Sequence, residues 1–104
     1  MNKIIADYLK SPAVGLDEPM AEVVVQLFEK HPEIGREFAD WIQSGKIPEN
    51  PIEIYACGKT YTADTLRENF NGIKSYYDAY SMLTLLKDDP DYAVSLLARG
   101  LPIK

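Results

Sequence analysis

The chain has 104 residues, of which 46% are hydrophobic and 26% are charged, and its formal net charge is −5. These values are typical of a folded globular chain rather than a disordered one. A single cysteine and a single histidine exclude an internal disulfide, a cysteine-based metal site and a multi-histidine metal site. The excess of negative charge disfavours nucleic acid and anionic membranes as main partners.

The sequence shows no pattern that predicts membrane insertion or export. The first residues lack the apolar core of a signal peptide, and no uncharged apolar stretch approaches the roughly 20 residues that span a bilayer. A lone cysteine fits a reducing compartment. We therefore expect a cytoplasmic protein without a membrane segment, and nothing in the composition calls for a cofactor.

Three helices are predicted in the first half of the chain. The first ends at Ser11-Pro12, the second begins behind Asp17, and the third begins at Pro32 and ends at Gly45. The second helix carries apolar side chains at helical spacing: Met20, Val23, Val24, Leu27 and Phe28. From the helical stripes we expect five large side chains to be buried: Leu27, Phe28, Phe38, Trp41 and Leu83.

A short β-hairpin is predicted at about residues 52–62. Glycine at the first central position of a Gly58-Lys59 turn suits type II′, which pairs Ala56 with Tyr61. The hairpin must lie against helices, because two short strands are not stable alone.

Three more helices follow the hairpin. Thr62 is the expected N-cap of the fourth, the fifth spans about residues 73–87, and the sixth begins at Asp88-Asp89-Pro90 and ends at Gly100. The predicted fold class is mainly α, with about six short helices and one hairpin in a single domain, residues 1–104.

A faint internal repeat relates residues of about 20–45 to those of about 73–100. In each segment a proline starts the second of two helices and a glycine ends it, before an apolar residue and a further proline. Either a helix pair was duplicated or the same capping chemistry was used twice.

The sequence contains no convincing catalytic constellation. Gly58-Lys59-Thr60 is not a phosphate loop, because Glu53 stands where that motif needs its first glycine. Cys57 lacks an evident base, so we expect an inert, half-buried thiol. The protein is therefore predicted not to be an enzyme.

Two groups of residues are candidate partner-binding sites. Glu33, Glu37 and Asp40 recur at i, i+4, i+7 and would form an acidic stripe on the third helix that meets a basic partner. Three tyrosines of the fifth helix would form an aromatic face suited to an interface: Tyr76, Tyr77 and Tyr80. The alternative for the acidic stripe is an ordinary solvated helix face. The alternative for the tyrosines is that they pack at the edge of the core.

The predicted function is that of a non-enzymatic, acidic protein-interaction domain. Its sharpest form is a small inhibitor or adaptor, of the kind that phages and mobile elements encode, binding a basic protein that handles nucleic acid. An enzyme that uses Cys57 is one alternative, and two others remain open. One is a DNA-binding regulator with a helix-turn-helix within residues 62–86, although its recognition helix has few cations. The other is a homodimeric structural domain that associates through the tyrosine face.

Overall fold

The computed structural model describes residues 3–73 and 75–100. In these ranges the chain forms six α-helices and one two-stranded antiparallel hairpin, so the predicted mainly α class is confirmed. By its contacts the chain falls into two compact units, residues 1–48 (unit 1) and 49–104 (unit 2). That residues 1–104 form a single domain stays a prediction.

Unit 1 consists of three helices, α1 (Lys3–Lys10), α2 (Glu18–Lys30) and α3 (Pro32–Ser44), each of which packs against the other two. The predicted cap of α2 is confirmed, because the Asp17 carboxylate accepts a hydrogen bond from the Met20 N–H at 3.0 Å. This bond satisfies one of the amides that a helix start leaves without a partner. The core of unit 1 contains Ile5, Leu9, Ala21, Val24, Val25, Phe28, Ile34, Phe38 and Ala39.

The buried face of α2 differs from the predicted stripe. Val24 and Phe28 are buried, but Met20 and Val23 are 50% and 59% exposed, and Leu27 is only half-buried. Ala21 and Val25 complete the buried face instead. Three consecutive valines place apolar side chains in three directions around a helix, so periodicity alone admits a second face, and packing on α1 and α3 selects it.

An aromatic cluster fills the space between α1, α2 and α3, with Phe38 at its centre. The Phe38 ring centroid lies 5.0 Å from Phe28 and 5.8 Å from Tyr8, and Trp41 stacks on it at 6.2 Å. Trp41 remains half-buried, so its predicted full burial is wrong, whereas Phe38 is buried as predicted. Edge-to-face and offset contacts of this kind add to the stabilisation by area burial.

The hairpin of unit 2 forms in a different register from the predicted one. Strands β1 (Ile54–Ala56) and β2 (Lys59–Tyr61) pair Ile54 with Tyr61 and Ala56 with Lys59. The turn is Cys57-Gly58, with φ of 51° and 83°. Two positive φ values are the signature of a type I′ turn, whose twist matches that of the strands, and this match outweighs the strain of about 1–2 kcal/mol at a non-glycine residue.

Three helices complete unit 2: α4 (Ala63–Asn69), α5 (Tyr76–Asp88) and α6 (Pro90–Arg99). The predicted Thr62 cap is confirmed as a capping box with Thr65. The predicted start of α5 near residue 73 is wrong. Ser75 caps α5, and its side chain accepts a hydrogen bond from the Asp78 N–H at 3.1 Å. Because of this local bond the helix begins at Tyr76, three residues later than the apolar pattern indicates.

Helix α5 is the central element of unit 2, because it packs against α4, α6 and β1. The predicted burial of Leu83 is confirmed. The core of unit 2 also contains Ala56, Tyr61, Ala63, Leu66, Ile73, Ala79, Tyr80, Met82, Leu86, Ala93 and Leu97.

The two predicted repeat segments share the geometry of their helix junctions. His31 (φ −129°, ψ 76°) and Asp89 (φ −146°, ψ 78°) each end one helix and begin the next. Helices α2 and α5 both have 13 residues, while α3 has 13 and α6 has 10. Capping rules alone produce similar junctions, so the duplication stays a hypothesis.

Two valines of α2 offer a matched test of its buried face. Val25→Ala removes two buried methyl groups and leaves a cavity, so we expect it to lower the free energy of unfolding by about 2 kcal/mol. Val23→Ala, at an exposed position, is expected to change it by no more than about 0.5 kcal/mol. Urea unfolding followed by the fluorescence of Trp41, the only tryptophan of the chain, measures both. A larger loss for Val23→Ala than for Val25→Ala would favour the stripe expected from periodicity instead.

Candidate functional site

The predicted acidic stripe is only partly a surface feature. Glu33 and Asp40 are exposed, but Glu37 is 7% exposed, so the prediction that all three face solvent is wrong at Glu37. The buried face of α3 is wide: it includes Ile34 and Phe38 and extends to Glu37 at its edge.

A groove in unit 1 brings other charged residues together beside Asp40. It is a cavity of about 410 Å³ formed by α1, the end of α2 and α3. Its floor is apolar and includes the buried residues Ile5, Phe28 and Ala39. The other lining residues are Ile4, Glu29, Pro32, Gly35, Arg36, Asp40 and Gln43.

Gly35 lines the groove and allows close packing of α3 on α2. A Cβ atom at this position would lie 3.2 Å from the Phe28 carbonyl oxygen, which is tighter than most Cβ contacts, and 3.4 Å from the Phe28 Cβ. The missing side chain therefore lets the first turns of α3 lie against the end of α2. Pro32 starts α3 at the same end of the groove, and its fixed φ suits a first helical turn.

The charged residues of the groove stand at its exposed rim. Glu29, Arg36 and Asp40 are exposed, so two carboxylates and one guanidinium border an apolar floor. Residues 1–48 carry eight acidic and five basic side chains, which leaves a charge of −3 in the part of the chain that forms the groove. We call the exposed residues Glu29, Glu33 and Asp40 of α2 and α3 the acidic surface.

The predicted tyrosine face is largely internal. Tyr80 is completely buried, so its assignment to a binding surface is wrong. The Tyr76 hydroxyl donates to Asp64 at 3.2 Å, and the Arg67 guanidinium lies 4.3 Å from the centre of the Tyr76 ring. These contacts join α4 to the start of α5, and the cation over the ring stabilises that packing.

Tyr77 is half-buried and its hydroxyl is harder to ionise than an ordinary tyrosine. Burial raises its pKa, the Asp78 charge raises it further, and a hydrogen bond with Ser81 acts in the opposite direction.

Sequence reasoning missed two exposed tyrosines of unit 2. Tyr55 is 73% exposed and Tyr92 is 50% exposed. The alternation of β1 could have identified Tyr55, because Ile54 and Ala56 face the helices and the residue between them must point away. No comparable signal singles out Tyr92, which lies in the first turn of α6.

The Cys57 thiol is exposed, not half-buried as expected. Its sulfur lies 3.4 Å from Asp91 Oδ1. The hydrogen bond to Asp91 raises the pKa of the thiol, as do partial desolvation and the negative charge of the carboxylate. A carboxylate neighbour thus suppresses the thiolate that a nucleophile needs.

Two further searches concern metals and membranes. Among the described residues, no three His, Cys, Asp or Glu side chains form a group that could hold a metal ion. In the same part of the chain, no helix combines the length and apolar character that crossing a membrane requires.

Comparison of the chain with protein-family models, with curated proteins and with solved structures finds no match.

The Cys57–Asp91 contact predicts the reactivity of the thiol. Asp91→Asn removes the charge that raises the pKa of Cys57, so the thiolate fraction at pH 8 should increase and alkylation by uncharged iodoacetamide should accelerate. The pH–rate profile should shift to lower pH. Glu68→Gln, an equal loss of charge on α4, is the control and should leave the profile in place; an unchanged profile for Asp91→Asn would show that the carboxylate does not govern the thiol.

Proposed function

We propose that this chain is a non-enzymatic interaction domain that binds a basic surface of a partner protein through the acidic surface of unit 1. One observation carries the proposal: exposed carboxylates of Glu29 and Asp40 border an apolar groove. Charges at the edge of an interface accelerate encounter with a complementary surface, and an apolar floor provides area to bury.

The spacing of the acidic surface suits contact with a macromolecule. Glu33 and Asp40 are seven residues apart on α3, about two helical turns, which places them roughly 10 Å from each other along the helix axis. Glu29 adds a third carboxylate at the end of α2. A separation of about 10 Å between Glu33 and Asp40 suits several basic side chains on a partner better than a single small cation.

A small inhibitor or adaptor is the form of this function that we propose. A domain of 104 residues with a net charge of −5 has the size and sign to cover the basic surface of a nucleic-acid-handling protein. Such surfaces are rich in lysine and arginine because they neutralise phosphates, so an acidic domain competes for the same side chains. Proteins of this kind are encoded by phages and mobile elements.

A second candidate function is association through exposed tyrosines of unit 2. Tyr55 and Tyr92 are the observation that favours it, because tyrosine buries a large area at an interface while its hydroxyl stays hydrated. This interface would also serve the homodimer alternative, with Tyr55 and Tyr92 replacing the predicted face of α5. It would respond little to salt, whereas the acidic surface would respond strongly.

The DNA-binding alternative finds less support. A recognition helix must present cations and amides to the groove and to phosphates, but six residues of α5 are buried: Ala79, Tyr80, Met82, Leu83, Thr84 and Leu86. On α4, the Arg67 guanidinium lies over Tyr76.

Charge reversal tests the acidic surface. The chain is used to isolate binding proteins, and the association rate of each purified candidate is then measured with wild-type chain and with a Glu29→Lys, Glu33→Lys, Asp40→Lys variant. For a partner that uses this surface, we expect the association rate at 0.1 M salt to fall at least about tenfold. The difference should shrink at 1 M salt, where the Debye length falls from about 10 Å to about 3 Å.

A matched variant separates this surface from net charge. Glu49→Lys, Glu53→Lys, Glu68→Lys reverses three exposed carboxylates of unit 2 and changes the total charge by the same amount. It should retain most of the wild-type association rate. Equal losses in the two variants would contradict a specific role of Glu29, Glu33 and Asp40.

The tyrosine interface predicts the opposite kinetics. Tyr55→Ala and Tyr92→Ala would raise the dissociation rate with little dependence on salt, because desolvated aromatic anchors hold complexes together. Surface plasmon resonance at the two salt concentrations measures this. If these variants alone weaken the complex, the acidic surface is not the interface.

A further inference from the structure

We infer that the groove of unit 1 receives a lysine or arginine side chain of the partner, with its aliphatic stem on the apolar floor and its cation at the carboxylates of the rim. This inference rests on the proposed function, since it names the group of the basic partner that enters the acidic surface. It goes further by assigning a specific occupant to the cavity beside Asp40.

The composition of the groove matches the two parts of a long basic side chain. Lysine and arginine carry three or four methylene groups that pack on apolar surface while their charged ends stay near water. The half-buried Ile4 and the exposed Pro32 supply accessible apolar surface above the buried floor, and the exposed residues Glu29 and Asp40 supply the charged rim. A volume of about 410 Å³ lies within the range of about 300–1,000 Å³ that is usual for binding cavities.

Other classes of occupant fit this groove less well. A purely apolar side chain would displace water from the exposed rim charges and offer no opposite charge in exchange, and this desolvation is costly. An acidic side chain could pair with Arg36 but would approach two carboxylates, Glu29 and Asp40, in the same groove. Only a basic side chain gains from both the floor and the majority charge of the rim.

Three tripeptides probe this preference. The probes are acetyl-Leu-Lys-Leu-amide, its norleucine analogue without the charge, and its glutamate analogue with the opposite charge. Each is titrated into the full-length chain while amide resonances are followed by NMR. We expect the lysine peptide to shift the amides of Gly35, Arg36 and Ala39 saturably, and the norleucine peptide to bind at least about threefold more weakly. Exposed charge pairs of up to about 1 kcal/mol account for a factor of about two to five.

Two variants locate the charged contact. Asp40→Asn keeps the shape of an exposed side chain and removes its charge, so it should weaken the lysine peptide about two- to fivefold and leave the norleucine peptide unchanged. Glu22→Gln removes an exposed carboxylate of α2 that does not line the groove, and it should affect neither peptide. Amide spectra of the variants without peptide verify that each remains folded.

Several results would overturn the inference. Tighter binding of the glutamate peptide would show that Arg36 makes the groove an anion site, and equal binding of lysine and norleucine peptides would show a purely apolar site. Concentration-dependent shifts of the same amides without peptide would show a second copy of the chain in the groove. Failure of the lysine peptide to bind there, while charge reversal still slows partner association, would reject the groove and keep the proposed function. Lysine-specific binding without any effect of charge reversal on a partner would do the reverse.

Discussion

Phe28 contacts α3 at two points, with its backbone and Cβ beside Gly35 and its ring 5.0 Å from that of Phe38. The first contact sets how closely α3 lies to the end of α2, and the second ties both helices to the aromatic cluster that also includes Tyr8. The groove depends on this packing, because Phe28 and Gly35 both line it. A substitution that separates the helices at Gly35 would therefore change the candidate site as well as the core.

The same packing decides which carboxylates reach solvent. Because α3 is covered on one side by α1 and on another by α2, its buried arc extends as far as Glu37 and leaves a narrower exposed strip with Glu33, Arg36 and Asp40. Glu29 joins this strip through the single-residue junction at His31, which brings the end of α2 to the start of α3. Charge at the surface of unit 1 is thus a consequence of how three helices pack and not of helical spacing alone.

Features governed by neighbouring residues were predictable from the sequence, and features governed by packing were not. The caps at Asp17 and Thr62 and the helix end at Gly45 depend on local hydrogen bonds and backbone freedom, which residue types reveal directly. The choice between Val23 and Val25, and the burial of Glu37, depend on helices distant in the sequence. The hairpin turn is an intermediate case, because Gly58 marks a turn but either of its neighbours, Cys57 or Lys59, can be the other central residue.

In the proposed complex, the acidic surface and the groove would have separate roles. Exposed ion pairs contribute only about 0–1 kcal/mol each, so Glu29, Glu33 and Asp40 cannot by themselves hold a partner for long, although their charge accelerates and orients its approach. Lasting contact requires burial of apolar area at about 25 cal/mol per Å², and Ile4 and Pro32 are the apolar residues of the groove that still have accessible area to bury. A basic side chain is the one common group that uses both, because its cation meets the rim in the same step that its stem covers the floor.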